Sequence, residues 1–138
     1  MCWKQFLFIV FICGSHALSR QQLRKTGNIM KKSCMGKIKD VTEEQVAAAT
    51  IGQFIEDKNV MCYLACIYQL SGLVKNGKFS YDAAIKQVDI MYPPDMKEAF
   101  KQSVTNCKGI ADKYKDLCEV AFYITRCIYE DNPSNFVV

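Results

Sequence analysis

Histidine and tryptophan are nearly missing from this chain: each occurs once, as His16 and Trp3, both close to the N-terminus. Everything downstream of them lacks an imidazole. That removes the usual ingredients of catalytic zinc sites, of histidine acid/base chemistry and of Ser-His or Cys-His nucleophile pairs. A small secreted phospholipase, which needs such a base, is excluded on the same ground. The seven glycines are never clustered, so no loop of the phosphate-cradling kind is present. No pair of carboxylates is singled out either, and the chain reads as a non-enzyme with no cofactor and no metal site. Of the three prolines, two are adjacent (Pro93-Pro94), so few places interrupt a helix. No apolar run approaches the roughly 20 residues of a membrane span, so stable membrane insertion is not expected. Asn132-Pro-Ser134 carries the proline that forbids N-glycosylation, and no other acceptor triplet exists.

The first residues make up a secretory leader. Lys4 supplies a positive start, Phe6 to Cys13 an apolar stretch, and Ser15, Ala17 and Ser19 the small residues a signal peptidase reads. Cleavage after Ala17 or after Ser19 satisfies the pattern, and Ser19 is slightly favoured. The expected organisation is therefore a signal peptide over 1–19 and one domain over 20–138, secreted to the extracellular space. Loss of Lys4 lowers the formal net charge of +4 by one. Lys31, Lys32, Lys37 and Lys39 form the one local basic cluster, and no aromatic platform accompanies it. It reads as a solvated helix face, with no nucleic-acid partner.

Cysteine is abundant by contrast. Of the eight, Cys2 and Cys13 leave with the leader, and the remaining six are Cys34, Cys62, Cys66, Cys107, Cys118 and Cys127. The gaps between them are 27, 3, 40, 10 and 8 residues. An even set in a small secreted chain reads as a disulfide framework, and six thiols allow fifteen pairings. Cys62 and Cys66 lie in a segment without Gly or Pro, so a helix there projects both from one face. Cys118 and Cys127, at about 100° per residue, fall on opposite sides of one helix. Such spacings describe stapled helices and not a β-rich knot.

The rest of the chain supports an all-α domain. A first helix is expected over Leu23 to Ile38, with a break at Gly27. A short one follows Asp40 or Thr42 as cap and runs to Ile51. The third spans Asn59 to Ser71 and stops at Gly72. A turn over Leu73 to Phe79 contains Asn76-Gly77. Ser80 caps a fourth helix over Tyr81 to Met91, and Pro93-Pro94 ends it and opens a fifth running to Cys107. The sixth is expected over Asp112 to Glu130. Apolar stripes recur on these helices: Val60, Leu64 and Tyr68; Ala84 or Ile85, Val88 and Met91; Met96, Phe100 and Val104; Ala121, Ile124 and Ile128. Ordinary core packing accounts for such stripes. Three staples on a chain of this size also permit an interior left partly hollow, because each bridge is worth about 2–4 kcal/mol.

The full spacing, Cys34-x27-Cys62-x3-Cys66-x40-Cys107-x10-Cys118-x8-Cys127, resembles that of the insect odorant-binding and pheromone-binding proteins. Met61-Cys-Tyr-x-x-Cys66, Lys75-Asn-Gly-Lys-Phe79 and Tyr92-Pro-Pro-Asp95 are similar to segments of the pheromone-binding-like subgroup. Plant lipid-transfer proteins need an adjacent Cys-Cys pair, and saposins space their cysteines differently. The resemblance implies six helices around a closed apolar cavity, with bridges Cys34–Cys66, Cys62–Cys118 and Cys107–Cys127. It implies a carrier that solubilises an odorant, pheromone or lipid-like molecule, acts as a monomer or weak homodimer, and has an olfactory receptor as a candidate partner. The ligand-contacting positions it implies are Met30, Leu64, Tyr68, Ser71, Leu73, Phe79, Val88, Met91, Val104, Ala121, Ile124 and Ile128, with Phe136, Val137 and Val138 from a tail folded back over the cavity. Tyr68 and Ser71 are the polar members. Leu64 and Leu73 stand where some relatives place small hydroxyl residues, which favours a long, oily ligand. The alternative reading is a secreted helical module that binds a protein or a membrane surface through an apolar groove. With no histidine after the leader, any acid switch must rest on carboxylates, and Glu130 and Asp131 stand at the hinge between the last helix and the tail, where a pairing with a Lys or Arg would let them hold it.

Overall fold

The computed structural model describes residues 18–136; the leader up to Ala17, and Val137 and Val138, lie outside the described residues. Six α-helices follow in order: α1 (Arg20–Lys37), α2 (Glu43–Thr50), α3 (Lys58–Leu70), α4 (Tyr81–Met91), α5 (Pro94–Cys107) and α6 (Leu117–Asp131). A two-residue hairpin, β1 (Val74–Lys75) and β2 (Lys78–Phe79), joins α3 to α4. Short 3-10 turns cover Lys108–Asp112 and Pro133–Asn135.

Local chemistry explains most helix ends. Ser19 and Gln22 form a reciprocal capping box at the start of α1, with the Gln22 amide N–H donating to Ser19 Oγ at 3.1 Å and the Ser19 N–H to Gln22 Oε1 at 2.8 Å. Thr42 and Gln45 repeat the device on α2. Asp57, Ser80 and Asp116 accept backbone N–H groups at the starts of α3, α4 and α6. Pro94 opens α5 because its missing N–H would have been unpaired there in any case, and Asp95 adds negative charge to the first turn.

Three expectations are corrected. α1 runs through Gly27 without a break, because a single interior glycine costs only about 1 kcal/mol and the stripe on either side of it is packed. The turn over Leu73 to Phe79 is a paired hairpin, Val74 opposite Phe79 and Lys75 opposite Lys78, closed by Asn76 and Gly77, which both take positive φ. α6 begins at Leu117 and not at Asp112, since Asp116 supplies the cap and Asp112 closes a 3-10 turn.

α3 and α6 form the spine and pack most extensively against each other. Tyr63, Leu64, Phe122, Met96 and Ile124 are almost completely buried around them, and each such side chain removed from water contributes about 1.5–3 kcal/mol. The bridges are Cys34–Cys66 (α1 to α3), Cys62–Cys118 (α3 to α6) and Cys107–Cys127 (α5 to α6), with Cα separations of 5.7, 4.4 and 5.8 Å. This is the pairing the family resemblance implies. Among the described residues, no helix is long and apolar enough to cross a membrane.

Candidate functional site

Five helices leave a hollow of about 400 Å³ between them. One stripe of each faces it. α1 contributes Leu23, Thr26, Gly27 and Met30, which are spaced so as to share a face. α3 contributes Tyr63, Leu64, Ile67, Tyr68 and Leu70, followed by Ser71, Gly72 and Leu73 where the chain turns. Phe79 of the hairpin, Ala84, Gln87, Val88 and Met91 of α4, and Tyr92 beyond it form the next wall. Phe100 and Val104 of α5, and Ile124, Thr125 and Ile128 of α6, complete the circuit. Phe136 closes it from the tail, its ring set edge-on to Tyr129 at 5.1 Å and to Phe54 at 6.3 Å.

The lining is largely apolar and contains no Lys, Arg, Asp or Glu. Its hydroxyls are few and mostly engaged. Tyr68 Oη lies 2.7 Å from Thr125 Oγ1, Ser71 Oγ donates to the Met30 sulfur at 3.3 Å, and Thr26 Oγ1 donates to the Gln22 carbonyl at 3.0 Å. Burial pushes the Tyr68 phenol well above its ordinary pKa, opposed in part by its contact with Thr125. Burial likewise raises Tyr92, with the nearby Tyr68 charge adding to it. Tyr63 is pushed up to about 12, by burial first and by Glu43 second. All three remain neutral phenols at any physiological pH. Tyr92 is half-buried and borders the hollow.

Of the positions singled out from sequence, Met30, Leu64, Tyr68, Ser71, Leu73, Phe79, Val88, Met91, Val104, Ile124, Ile128 and Phe136 surround the hollow. Ala121 does not. It lies one turn after Cys118 on the face tied to α3, so the bridge draws it into the helix contact, where it is fully buried. Val137 and Val138 lie outside the described residues. The expected ion pair at the start of the tail is also corrected: Asp131 accepts from Ser103 Oγ at 2.7 Å and from Asn106 Nδ2 at 3.2 Å, both neutral groups. Among the described residues, neither it nor Glu130 pairs with a Lys or Arg. Of the basic cluster, Lys31 pairs with Glu43 at 2.8 Å beside a shallow groove of mixed polarity.

Sequence reasoning left half of the lining out of the contacting set, among it Leu23, Thr26, Gly27, Gln87, Tyr92 and Thr125. Thr26 and Gly27 were hidden by the expected break. Tyr92 lies one residue past the helix whose periodicity was being followed, and only its place before Pro93-Pro94 marked it.

A stapled six-helix domain with one apolar hollow defines a class of small extracellular binding proteins. Residues 16–131 match the PBP/GOBP family, and the chain belongs to it. It is 33% identical over 117 residues to general odorant-binding protein 72 of Anopheles gambiae, covering 85% of this chain and 96% of that one. General odorant-binding protein 19a of Drosophila melanogaster is 27% identical over 122 residues, covering 87% and 83% of the two chains. Among solved structures, odorant binding protein 5 of Apis mellifera superposes with a TM-score of 0.80 at 34% identity, over 89% of this chain and 99% of that one. Odorant binding protein 4 of Chrysopa pallens gives 0.77 at 35% identity, over 86% and 97%.

Proposed function

We propose that this chain is a secreted carrier that takes one small hydrophobic molecule into the hollow and moves it through aqueous fluid. The observation that carries this reading is the space itself: about 400 Å³ walled mostly by apolar side chains, with no charged side chain on it among the described residues. A guest buried there gains about 25 cal/mol for each Å² of apolar surface it hides. The contacting set is the ring of residues from Leu23 to Phe136 described above, extended by Val137 and Val138 of the tail. The carrier works as a monomer or weak homodimer, and its release step delivers the guest to a receptor or a membrane.

Secretion requires removal of the leader, and the two cleavage sites differ in what they leave to helix α1. Ser19 caps α1, and the Leu18 N–H donates to the Met91 carbonyl at 2.9 Å. Cleavage after Ala17 preserves both; cleavage after Ser19 removes both. A mature protein that begins at Arg20, the expected start, has neither bond, and one that begins at Leu18 keeps both.

The test of the carrier is a titration of the disulfide-intact protein with a fluorescent hydrophobe. Saturable one-to-one uptake, reversed by competing odorant-sized molecules, is expected. Adsorption to anionic vesicles without saturable uptake would refute the carrier and support the apolar-groove module.

A further inference from the structure

The hydroxyl hydrogens around the hollow can be assigned one by one, and the assignment selects a guest. Thr125 Oγ1 has a single hydrogen, and at 2.6 Å from the Ala121 carbonyl, which can only accept, that hydrogen is committed. In the 2.7 Å contact between Tyr68 and Thr125, Tyr68 is therefore the donor. The thioether of Met30 can only accept as well, so the Ser71 hydrogen is also committed. Tyr68 and Ser71 consequently offer a guest lone pairs and nothing else.

Tyr92 is different. Its ring lies against Phe100 with centroids 4.6 Å apart, and its hydroxyl, like that of Tyr63 on the same lining, makes no hydrogen bond among the described residues. Tyr68 and Tyr92 both border this one space. One wall thus presents an acceptor and the adjoining wall a free donor.

We propose that the hollow recognises an alcohol or phenol, its hydroxyl accepting from Tyr92 and donating to Tyr68. This rests on the carrier reading and narrows it. An aldehyde, ketone, ester or ether can accept from Tyr92 but leaves Tyr68 unanswered. A carboxylate would also bring a charge into a lining without a cation, at a large desolvation cost. Leu64 and Leu73 keep the rest of the space apolar, so the hydroxyl belongs at the end of a long aliphatic or terpenoid body. Gln87 is another polar side chain on the lining, beside Thr26 and Tyr63. Its amide lies beside Gly72, and it serves as the internal control.

The experiment uses the full disulfide-intact protein loaded with a fluorescent naphthylamine. The competitors share one carbon chain: a primary alcohol, its aldehyde, its methyl ether and its carboxylate. The alcohol should displace the probe best, by about threefold to tenfold over the aldehyde and the ether, as one added hydrogen bond provides. Tyr68→Phe should abolish the preference for alcohol over aldehyde. Tyr92→Phe should weaken both relative to the probe and leave their ratio unchanged. Thr125→Val frees the Tyr68 hydrogen without removing the phenol, so aldehyde affinity should rise toward that of the alcohol. Equal displacement by all four compounds would overturn the proposal while leaving the carrier intact. So would a preference that disappears in Gln87→Met but survives in the tyrosine variants. Failure of the probe itself to bind would sink the carrier and this proposal together.

Discussion

Gly52 is the residue whose replacement should reveal most about how the tail side of the hollow is built. It has φ of +85°, and a Cβ added there would stand 2.2 Å from Tyr129 Cε1 and 2.5 Å from Cζ. Gly77 offers a matched control, because its φ is +75° and nothing lies within 4 Å of its Cβ position. Alanine at either site incurs the left-handed backbone penalty of about 1–2 kcal/mol. Only Gly52→Ala must also displace Tyr129. That ring is set edge-on to Phe54 and Phe136, and its hydroxyl donates to the Ile51 carbonyl at 3.2 Å. Each aromatic contact is worth about 0.5–1.5 kcal/mol and the partly exposed hydrogen bond about 1 kcal/mol. The excess of Gly52→Ala over Gly77→Ala should therefore be about 2–4 kcal/mol. Denaturant unfolding with the bridges intact measures it, and probe dissociation should be faster in Gly52→Ala alone, because Phe136 loses the ring that seats it. Adding Tyr129→Ala should remove most of the excess. Equal destabilisation by the two glycine variants would refute the reasoning.

Truncation after Asn135 should speed release of a bound hydrophobe at a stability cost of about 1–2 kcal/mol, since Phe136 contributes two ring contacts; unchanged release would leave the tail without a role in retention. N-terminal sequencing of the secreted protein should read Arg20 or Leu18 first, and a start elsewhere would contradict the expected leader. Probe affinity should be flat from neutrality down to about pH 5, because no histidine is present to titrate and the raised phenols stay protonated throughout. Acid should act on stability instead: the Arg20 guanidinium, 2.9 Å from Asp95, holds that carboxyl below its ordinary range. Its contribution is present above the unfolded pKa of about 3.9 and is lost as pH falls through the lower folded value. Arg20→Gln should therefore flatten part of the acid limb below about pH 4 without changing neutral binding, and an affinity step near pH 6 in the parent protein would contradict both statements.

Much of the architecture was legible because it rests on local rules. Ser80, Pro94, Gly72 and Asn76-Gly77 mark boundaries by their own chemistry, and the structure places them at those boundaries. The bridge pairing was legible only through resemblance, since helical spacing narrowed fifteen possibilities without choosing one. Apolar periodicity located the faces toward the hollow on α3 to α6 but did not separate lining from core. Met96 and Val104 share a stripe, yet Met96 is fully buried away from the space that Val104 borders. Ala121 shows the same ambiguity from the other side. Tyr92 and Thr125 were illegible because their importance lies in which partner takes each hydrogen, a property of the assembled walls.

The bridges also divide the walls unequally. They join α1 to α3, α3 to α6 and α6 to α5 in series, while α4 carries no cysteine and α1 is tied only near its C-terminal end, at Cys34. The N-terminal half of α1 and all of α4 thus face the covalently fixed half across the hollow. They are joined to each other by the bond from Leu18 to Met91, and to α5 by Arg20–Asp95 and Lys101–Asp89. A seam of that kind opens at the cost of a backbone hydrogen bond and exposed ion pairs, whereas the opposite wall opens only by breaking sulfur–sulfur bonds. That seam is the part of the wall least held by covalent bonds, and amide exchange should be fastest along it.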